Sequence, residues 1–203
     1  MLLHSRTYSV QTYRVDAERI RIRGRVTDTK PAGLYIDDDP EPLDVHDMVV
    51  DIVVSYPMLS IETVDVVMDT HPHSGCTAIE AAYQQLVGLP IARGFSRKVT
   101  ELFGGPSGCT HVGALLRAMA PVIVQSMYSM QRADPNGPKE LPSRSKDPQI
   151  RERALAFVRN SCHLWAEDGP MTASIERDEA MEVPVWLKDR YDKLGRSDEL
   201  SNL

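Results

Sequence analysis

The chain has 203 residues, of which 42% are hydrophobic, so it can bury the core of one domain with an appended segment. Its net charge of −6 argues against a protein whose main task is to bind nucleic acid, since that task requires a basic surface. No stretch of about 18 residues is free of charge, and Met1–Ser9 lacks the apolar run of a signal peptide. We therefore expect a cytoplasmic protein with neither a membrane nor a nucleic-acid partner.

Alternation of polar and apolar side chains predicts strands in the first third of the chain. In residues 18–26 the arginines fall on one face and the apolar residues on the other. Two runs rich in Val and Ile, Met48–Val54 and Ile61–Met68, add further strands. We expect a meander of about four antiparallel strands. The arginine row is either the solvated face of this sheet or a contact for an anion or a carboxylate.

Beyond Cys76 the apolar residues recur every three or four positions, which is the period of a helix. One helix is expected just after Cys76 with Gly88 as its C-cap, and Pro121 should kink a later, longer one. The other predicted helices are Arg93–Phe103, Thr110–Arg132 and Gln149–Trp165. The pattern predicts an α+β fold, with an N-terminal antiparallel β-meander of about four strands packed against a C-terminal group of about four helices.

Prolines cluster between residues 133 and 148, which predicts an irregular connection there. We place this connection inside a single α+β domain that comprises residues 1–170. Residues 171–203 are predicted to be a C-terminal extension whose polar end, without periodicity, is partly disordered.

Side chains that can carry out chemistry are concentrated in four short segments. These are His46-Asp47, His71–Cys76, Gly108–His111 and Cys162-His163, which hold every cysteine and all but one of the histidines. The first three lie where one element meets the next, whereas Cys162-His163 is expected in the last turn of a helix. If the fold brings them together, they form either a metal site or an acid/base site lined with thiols.

The cysteines favour thiols, metal ligands or a nucleophile over a disulfide framework, because they are three in number. Cys109 is expected at the start of the longest helix, where unpaired N–H groups stabilise a thiolate. It can be a nucleophile, a ligand or neither. The sequence contains no zinc-finger spacing, nucleotide-binding loop, nucleophile elbow or HExxH motif, so no standard motif assigns a reaction.

Residues in these and neighbouring segments carry a resemblance to a known family. They are Val45–Met48, the turn at Cys76, Leu86–Gly88, Gly94, Gly108–His111, and Cys162-His163 with Trp165. They look like the uncharacterised bacterial family catalogued as domain of unknown function 2889, over roughly residues 14–169. The resemblance implies membership of a family without an assigned activity.

The order of elements is similar to that of the iron–sulfur scaffold proteins of the NifU/IscU type. That likeness implies that their first cysteine and its nearby aspartate correspond to His46-Asp47, their second cysteine to Cys76, and their late pair to Cys109 and His111. Here the first ligand position is a histidine, and the last pair is reversed and spaced by one residue. The likeness implies a ligand-lined cleft, with cluster assembly as the associated activity.

Our first functional expectation is an enzyme that acts on a small apolar molecule. We expect catalytic roles for His46 or His111 as general acid or base, with Asp47 and Tyr128 assisting. The residues expected to bind substrate are Tyr83, Met119, Met127 and His73. The three methionines of the long helix can equally be core filler. The reaction expected is that of a lyase on an aromatic or acyl catabolic intermediate.

The second expectation is a metal-binding or iron–sulfur scaffold-like protein without turnover. Its ligands are expected to be His46, Cys76, Cys109 and His111, because thiolates and imidazoles bind zinc and iron. The cofactor is therefore either absent or a zinc or iron centre. A small-molecule substrate is the expected partner, and a homodimer is compatible with the composition.

Overall fold

A four-stranded antiparallel sheet occupies the first part of the chain in the computed structural model, which describes residues 1–137, 147–177, 179 and 183–202. Its strands are β1 (Ser5–Arg14), β2 (Arg19–Lys30), β3 (Leu43–Ser55) and β4 (Ile61–Thr70). They lie side by side in chain order, each antiparallel to the next. The predicted meander is confirmed.

Strand β2 has one buried and one exposed face, as its alternation predicts. Ile20, Ile22 and Val26 point into the core, and the intervening arginines are exposed. Those arginines contact carboxylates of the same chain: Arg21 Nη2 lies 2.6 Å from Asp51 Oδ2 of β3. The arginine row is therefore both solvated and engaged with aspartates.

The chain turns helical after β4, as predicted. Residues Cys76–Leu86 form a 3-10 segment that packs against β4, and a short turn, Gly105–Ser107, precedes the longest helix. The helices of this part are α1 (Phe95–Phe103) and α2 (Thr110–Ala133). Helix α2 lies across β1, β2 and β3 and also contacts α1. The predicted α+β class, with helices following an N-terminal sheet, is confirmed.

Helix α2 approaches β2 most closely at Gly24, which occupies an inward-facing position. A Cβ atom at residue 24 would lie 2.5 Å from Met119 Sδ and 3.1 Å from Leu115 Cδ1. Met119 is buried at this crossing and fills the space that a side chain on β2 would need. The absence of a side chain at residue 24 thus allows the helix to dock on the sheet.

The chain divides into two compact units, residues 1–135 and 136–203. The division falls in the proline-rich connection 133–148, of which residues 138–146 lie outside the described residues. The predicted extent of the first domain, residues 1–170, stays a prediction. None of the helices in the described ranges is both long and apolar enough to cross a bilayer.

The second unit contains α3 (Pro148–Val158), α4 (Pro170–Glu176) and α5 (Val185–Lys193). Two 3-10 segments, His163–Trp165 and Ser197–Asn202, complete its described elements. Helices α4 and α5 lie in a region for which the sequence predicted no helix. In α5 the apolar residues do not follow a helical period.

The predicted helix Gln149–Trp165 is wrong in its second half, because α3 ends at Val158. Asn160 adopts a left-handed conformation with φ 60°, and its side-chain Oδ1 accepts a hydrogen bond from the Glu167 N–H at 3.0 Å. Asparagine tolerates this conformation and commonly ends helices in this way. Cys162 is consequently extended and exposed rather than in a last helical turn.

We expect Gly24→Ala to lower the free energy of unfolding by about 1–3 kcal/mol, because the added methyl group overpacks the crossing with Met119. Gly75→Ala is the matched control, since nothing lies within 4 Å of its added Cβ. Urea denaturation of both variants measures the difference. Equal stability of the two variants would show that Met119 yields without cost.

Candidate functional site

The inward face of β2 ends in a buried carboxylate. The alternation that buries Ile20, Ile22 and Val26 continues to Asp28, whose exposed fraction is 1%. In the register of the sheet, Asp28 lies opposite Arg6 of β1 and His46 of β3. Residues paired across antiparallel strands point to the same face, so a cation, an anion and an imidazole form one row.

Arg6 binds Asp28 through two parallel hydrogen bonds. Arg6 Nε donates to Oδ1 at 2.6 Å, and Arg6 Nη2 donates to Oδ2 at 2.7 Å. This pair holds the pKa of Asp28 well below its usual range and raises the pKa of Arg6 above its own. His4, the one histidine outside the four segments, also lies close, with Nε2 3.3 Å from Oδ1.

Two further histidines meet the same carboxylate. His46 Nδ1 lies 3.0 Å from Asp28 Oδ2, and Nε2 of His111, in the first turn of α2, lies 3.1 Å from that oxygen. Their rings stack with centroids 3.8 Å apart. A nitrogen that bonds an ionised carboxylate must be a donor, so we assign the protons to His46 Nδ1 and His111 Nε2.

In a neutral ring, this assignment leaves His46 Nε2 or His111 Nδ1 as the nitrogen without a proton. The pKa of His111 is lowered, first by burial and then by the nearby charges of His46 and Arg6, with Asp28 opposing. His111 therefore stays neutral near pH 7. A neutral imidazole with an unprotonated nitrogen can accept a proton from a bound molecule.

Both histidines line a cleft of about 500 Å³. Its walls come from the start of β3, the end of β4 and the loop after it, the start of the 3-10 segment, the turn before α2 and the start of α2. Most of the side chains that line the cleft are apolar or carry a thiol, among them Met48, Met68, Pro72, Ile79, Pro106, Cys76 and Cys109. A cleft of this size and character suits a small, largely apolar molecule.

Cys109 is the N-cap residue of α2, and its thiol lies beside His111. The Sγ atom is 3.7 Å from His111 Nδ1, and the Cys109 N–H donates to Tyr83 Oη at 2.9 Å. Burial raises the pKa of Tyr83 to about 12, so its phenol stays neutral. A Cβ at Gly108 would lie 2.5 Å from the Phe103 carbonyl oxygen, so this glycine permits the tight approach before Cys109.

The structure brings His46, Cys76, Cys109 and His111 to one cleft, but places other predicted residues elsewhere. Asp47 points to the opposite face of the sheet, where it pairs with Arg25, because neighbouring residues in a strand alternate. None of the predicted substrate contacts, nor the assisting Tyr128, is among the described residues that line the cleft. Tyr83, Met119 and Met127 pack in or against the core, His73 is exposed, and Tyr128 is 36% exposed.

Sequence reasoning missed Asp28, Arg6 and His4. Asp28 had a usable signal, because it follows Ile20, Ile22, Gly24 and Val26 at the next inward position of an alternating strand. A carboxylate on a buried face is rare unless it is paired, and so marks a site. Arg6 and His4 had no comparable signal, because the first strand is exposed along most of its length.

The donor atoms of Asp28, His46 and His111 lie within 4.8 Å of one another, close enough to hold a metal ion. Among the described residues, Cys76 and Cys109 do not belong to this group. Two imidazoles and a carboxylate are a known donor set for zinc and non-haem iron. Arg6 opposes this use, because its guanidinium occupies both carboxylate oxygens and repels a cation.

A protein-family model described as "Protein of unknown function (DUF2889)" matches residues 4–125, which include every residue of the Asp28 cluster and the cleft. No curated protein and no solved structure matches the chain. None of these comparisons supports the distant likeness to iron–sulfur scaffold proteins.

We expect Asp28→Asn to lower the free energy of unfolding at neutral pH by about 2 kcal/mol, because Arg6 loses its charged partner. Since folding lowers the pKa of Asp28, its contribution is complete above the unfolded value of about 4 and is lost as the pH falls below it. The difference in the free energy of unfolding between wild type and Asp28→Asn should therefore become smaller at acid pH. Urea denaturation across this range measures it.

Asp16→Asn is the control for this experiment, because Asp16 pairs with Arg19 at an exposed position where solvent screens the ion pair. A difference between Asp28→Asn and wild type no larger than that of the control, at neutral pH, would contradict the anchoring role of Asp28.

Proposed function

The chain belongs to the family described as protein of unknown function (DUF2889), and because that description assigns no activity, we propose a function from the site: an enzyme that uses His46 and His111 as acid and base on a small, apolar molecule. One observation carries the proposal. A single buried, ionised carboxylate accepts from both imidazoles, at 3.0 and 3.1 Å. That contact orients both rings and leaves each with a basic nitrogen.

The two stacked rings together hold one added proton. When one imidazole gains a proton, the positive charge raises the cost of protonating the other ring 3.8 Å away, and Arg6 adds to that cost. The ionised Asp28 stabilises the single imidazolium that forms. One proton can thus be taken from a substrate and returned to a leaving group within the same cleft.

A pair of imidazoles that takes up one proton and returns it suits the reaction of a lyase. A base removes a proton from the substrate, a C–C or C–O bond breaks, and the leaving group is protonated. The cleft supplies apolar walls for an aromatic ring or acyl chain, through Met48, Met68 and Ile79. The first N–H groups of α2 lack partners within the helix and can stabilise an enolate oxygen. In this scheme Asp28 and Arg6 position the histidines without touching the substrate.

We expect His46→Gln and His111→Gln each to lower the turnover of a substrate by about 10²-fold or more, because glutamine keeps a polar side chain but cannot exchange a proton. The assay is product formation from a panel of aromatic and acyl β-hydroxy carbonyl compounds, followed by mass spectrometry. His163→Gln, at an exposed histidine of the second unit, is the control. Full turnover in both cleft variants would contradict the proposal.

The second candidate is a metal-binding protein, and it is favoured by the convergence of the Asp28, His46 and His111 donor atoms. Its zinc or iron would bind through two imidazoles and a carboxylate. For the acid/base enzyme we expect far less than one metal ion per chain in protein purified without a histidine tag, by elemental analysis. One zinc or iron per chain, lost in His46→Ala and His111→Ala, would support the metal-binding function instead.

A further inference from the structure

Cys109 has the surroundings of a nucleophile, which the proposed acid/base function does not use. Its Sγ lies 3.7 Å from His111 Nδ1, the nitrogen assigned as basic. His111 Nε2 lies in turn 3.1 Å from the buried Asp28 carboxylate. A thiol, a base that can take its proton, and a carboxylate that orients the base form the arrangement found in cysteine-dependent acyl-transfer sites.

The backbone reinforces this arrangement. Cys109 is the N-cap residue of α2, a helix of 24 residues, so its thiol lies at the same helix end as His111. The Cys109 N–H is held by the buried phenol of Tyr83, so the thiol is carried on a fixed backbone. The thiol and His111 both line the cleft, so a molecule bound there reaches the sulfur.

Cys76 provides a comparison within the same cleft. It is partly buried and packs against the core to a similar degree as Cys109. Among the described residues, no hydrogen bond joins the Cys76 thiol to a histidine. If the two cysteines were only wall residues, their thiols would react alike.

We propose that Cys109 is a catalytic nucleophile that takes an acyl group from a thioester bound in the cleft. This inference rests on the proposed role of His111 as a base, and names a substrate class for the same site. A thioester suits the site because its acyl part is apolar and its acyl group transfers readily from one thiol sulfur to another.

The chemical steps balance within the cleft. His111 Nδ1 takes the thiol proton as the Cys109 sulfur attacks the carbonyl carbon and a new C–S bond forms. The bond to the leaving thiol breaks, and that thiol receives the proton from His111. Water then attacks the acyl group on Cys109, giving one proton to His111, which passes it to the returning sulfur. The net products are a carboxylic acid and a free thiol.

The first test is the alkylation rate of each cysteine by iodoacetamide at neutral pH, followed by peptide mass spectrometry. We expect Cys109 to react about tenfold faster than Cys76, and His111→Gln to bring Cys109 down to the rate of Cys76. Cys162, which is exposed, supplies the rate of an unassisted thiol. A Cys109 that reacts no faster than Cys76 would overturn the inference.

The second test needs no histidine variant and therefore remains decisive if His111→Gln fails to fold. The probe is S-benzoyl-N-acetylcysteamine, a simple aryl thioester. We expect wild type and Cys162→Ser, a variant at an exposed cysteine of the second unit, to gain one benzoyl group at Cys109 and to release the thiol catalytically, and Cys109→Ser to do neither. Labelling spread evenly over the cysteines, or equal thiol release by Cys109→Ser, would refute the nucleophile.

These outcomes separate the inference from the proposed lyase. Loss of lyase turnover in His46→Gln together with slow alkylation of Cys109 would reject the nucleophile and keep the acid/base enzyme. Fast, His111-dependent alkylation of Cys109 together with full lyase turnover in both histidine variants would keep the nucleophile and reject the acid/base lyase.

Discussion

The buried charge of Asp28 is the constraint on which the site depends. An ionised carboxylate can be buried only if it is paired and hydrogen-bonded, and here Arg6 neutralises it while histidine nitrogens surround its oxygens. In return, the carboxylate fixes the ring orientation of His46 and His111 and selects the nitrogen that carries the proton in each. The orientation of the two histidines that line the cleft therefore depends on one carboxylate that is itself buried.

The sheet and the long helix divide the work of building this arrangement. Strand register places Arg6, Asp28 and His46 in a row across three strands. Helix α2 docks across the same strands and brings its first turn, with Cys109 and His111, over the end of that row. The opposite face carries a second set of Arg–Asp pairs, in which the arginines are exposed and solvent screens the charges.

Much of the fold was predictable from local patterns, because burial on one face imposes a period that the sequence displays. The alternation in 18–26 and the runs 48–54 and 61–68 predicted strands that the structure contains. The prediction was wrong where a single residue decides the boundary, as at Asn160, and missed α5, which has no apolar stripe. Of the site, the places of His46 and His111 at element junctions suggested a shared cleft as a hypothesis, and the contact between the two rings is a property of the tertiary structure. Asp28 was not predicted, although its inward position in the alternating strand β2 marks it as buried.

The sequence by itself determined most of the strands and the helices of the first unit, which face of β2 is buried, and that His46 and Asp47, as neighbours in a strand, point in opposite directions. Only the tertiary structure decided that Asp28, and not Asp47, is the carboxylate that meets the histidines. The physical reason is that the two-residue period of a strand sets only the face on which a side chain lies. The residue paired with it on the next strand depends on the register of the sheet, and the residue of α2 that contacts it depends on how the helix docks at Gly24. Both are properties of the packed core as a whole, which no local segment encodes.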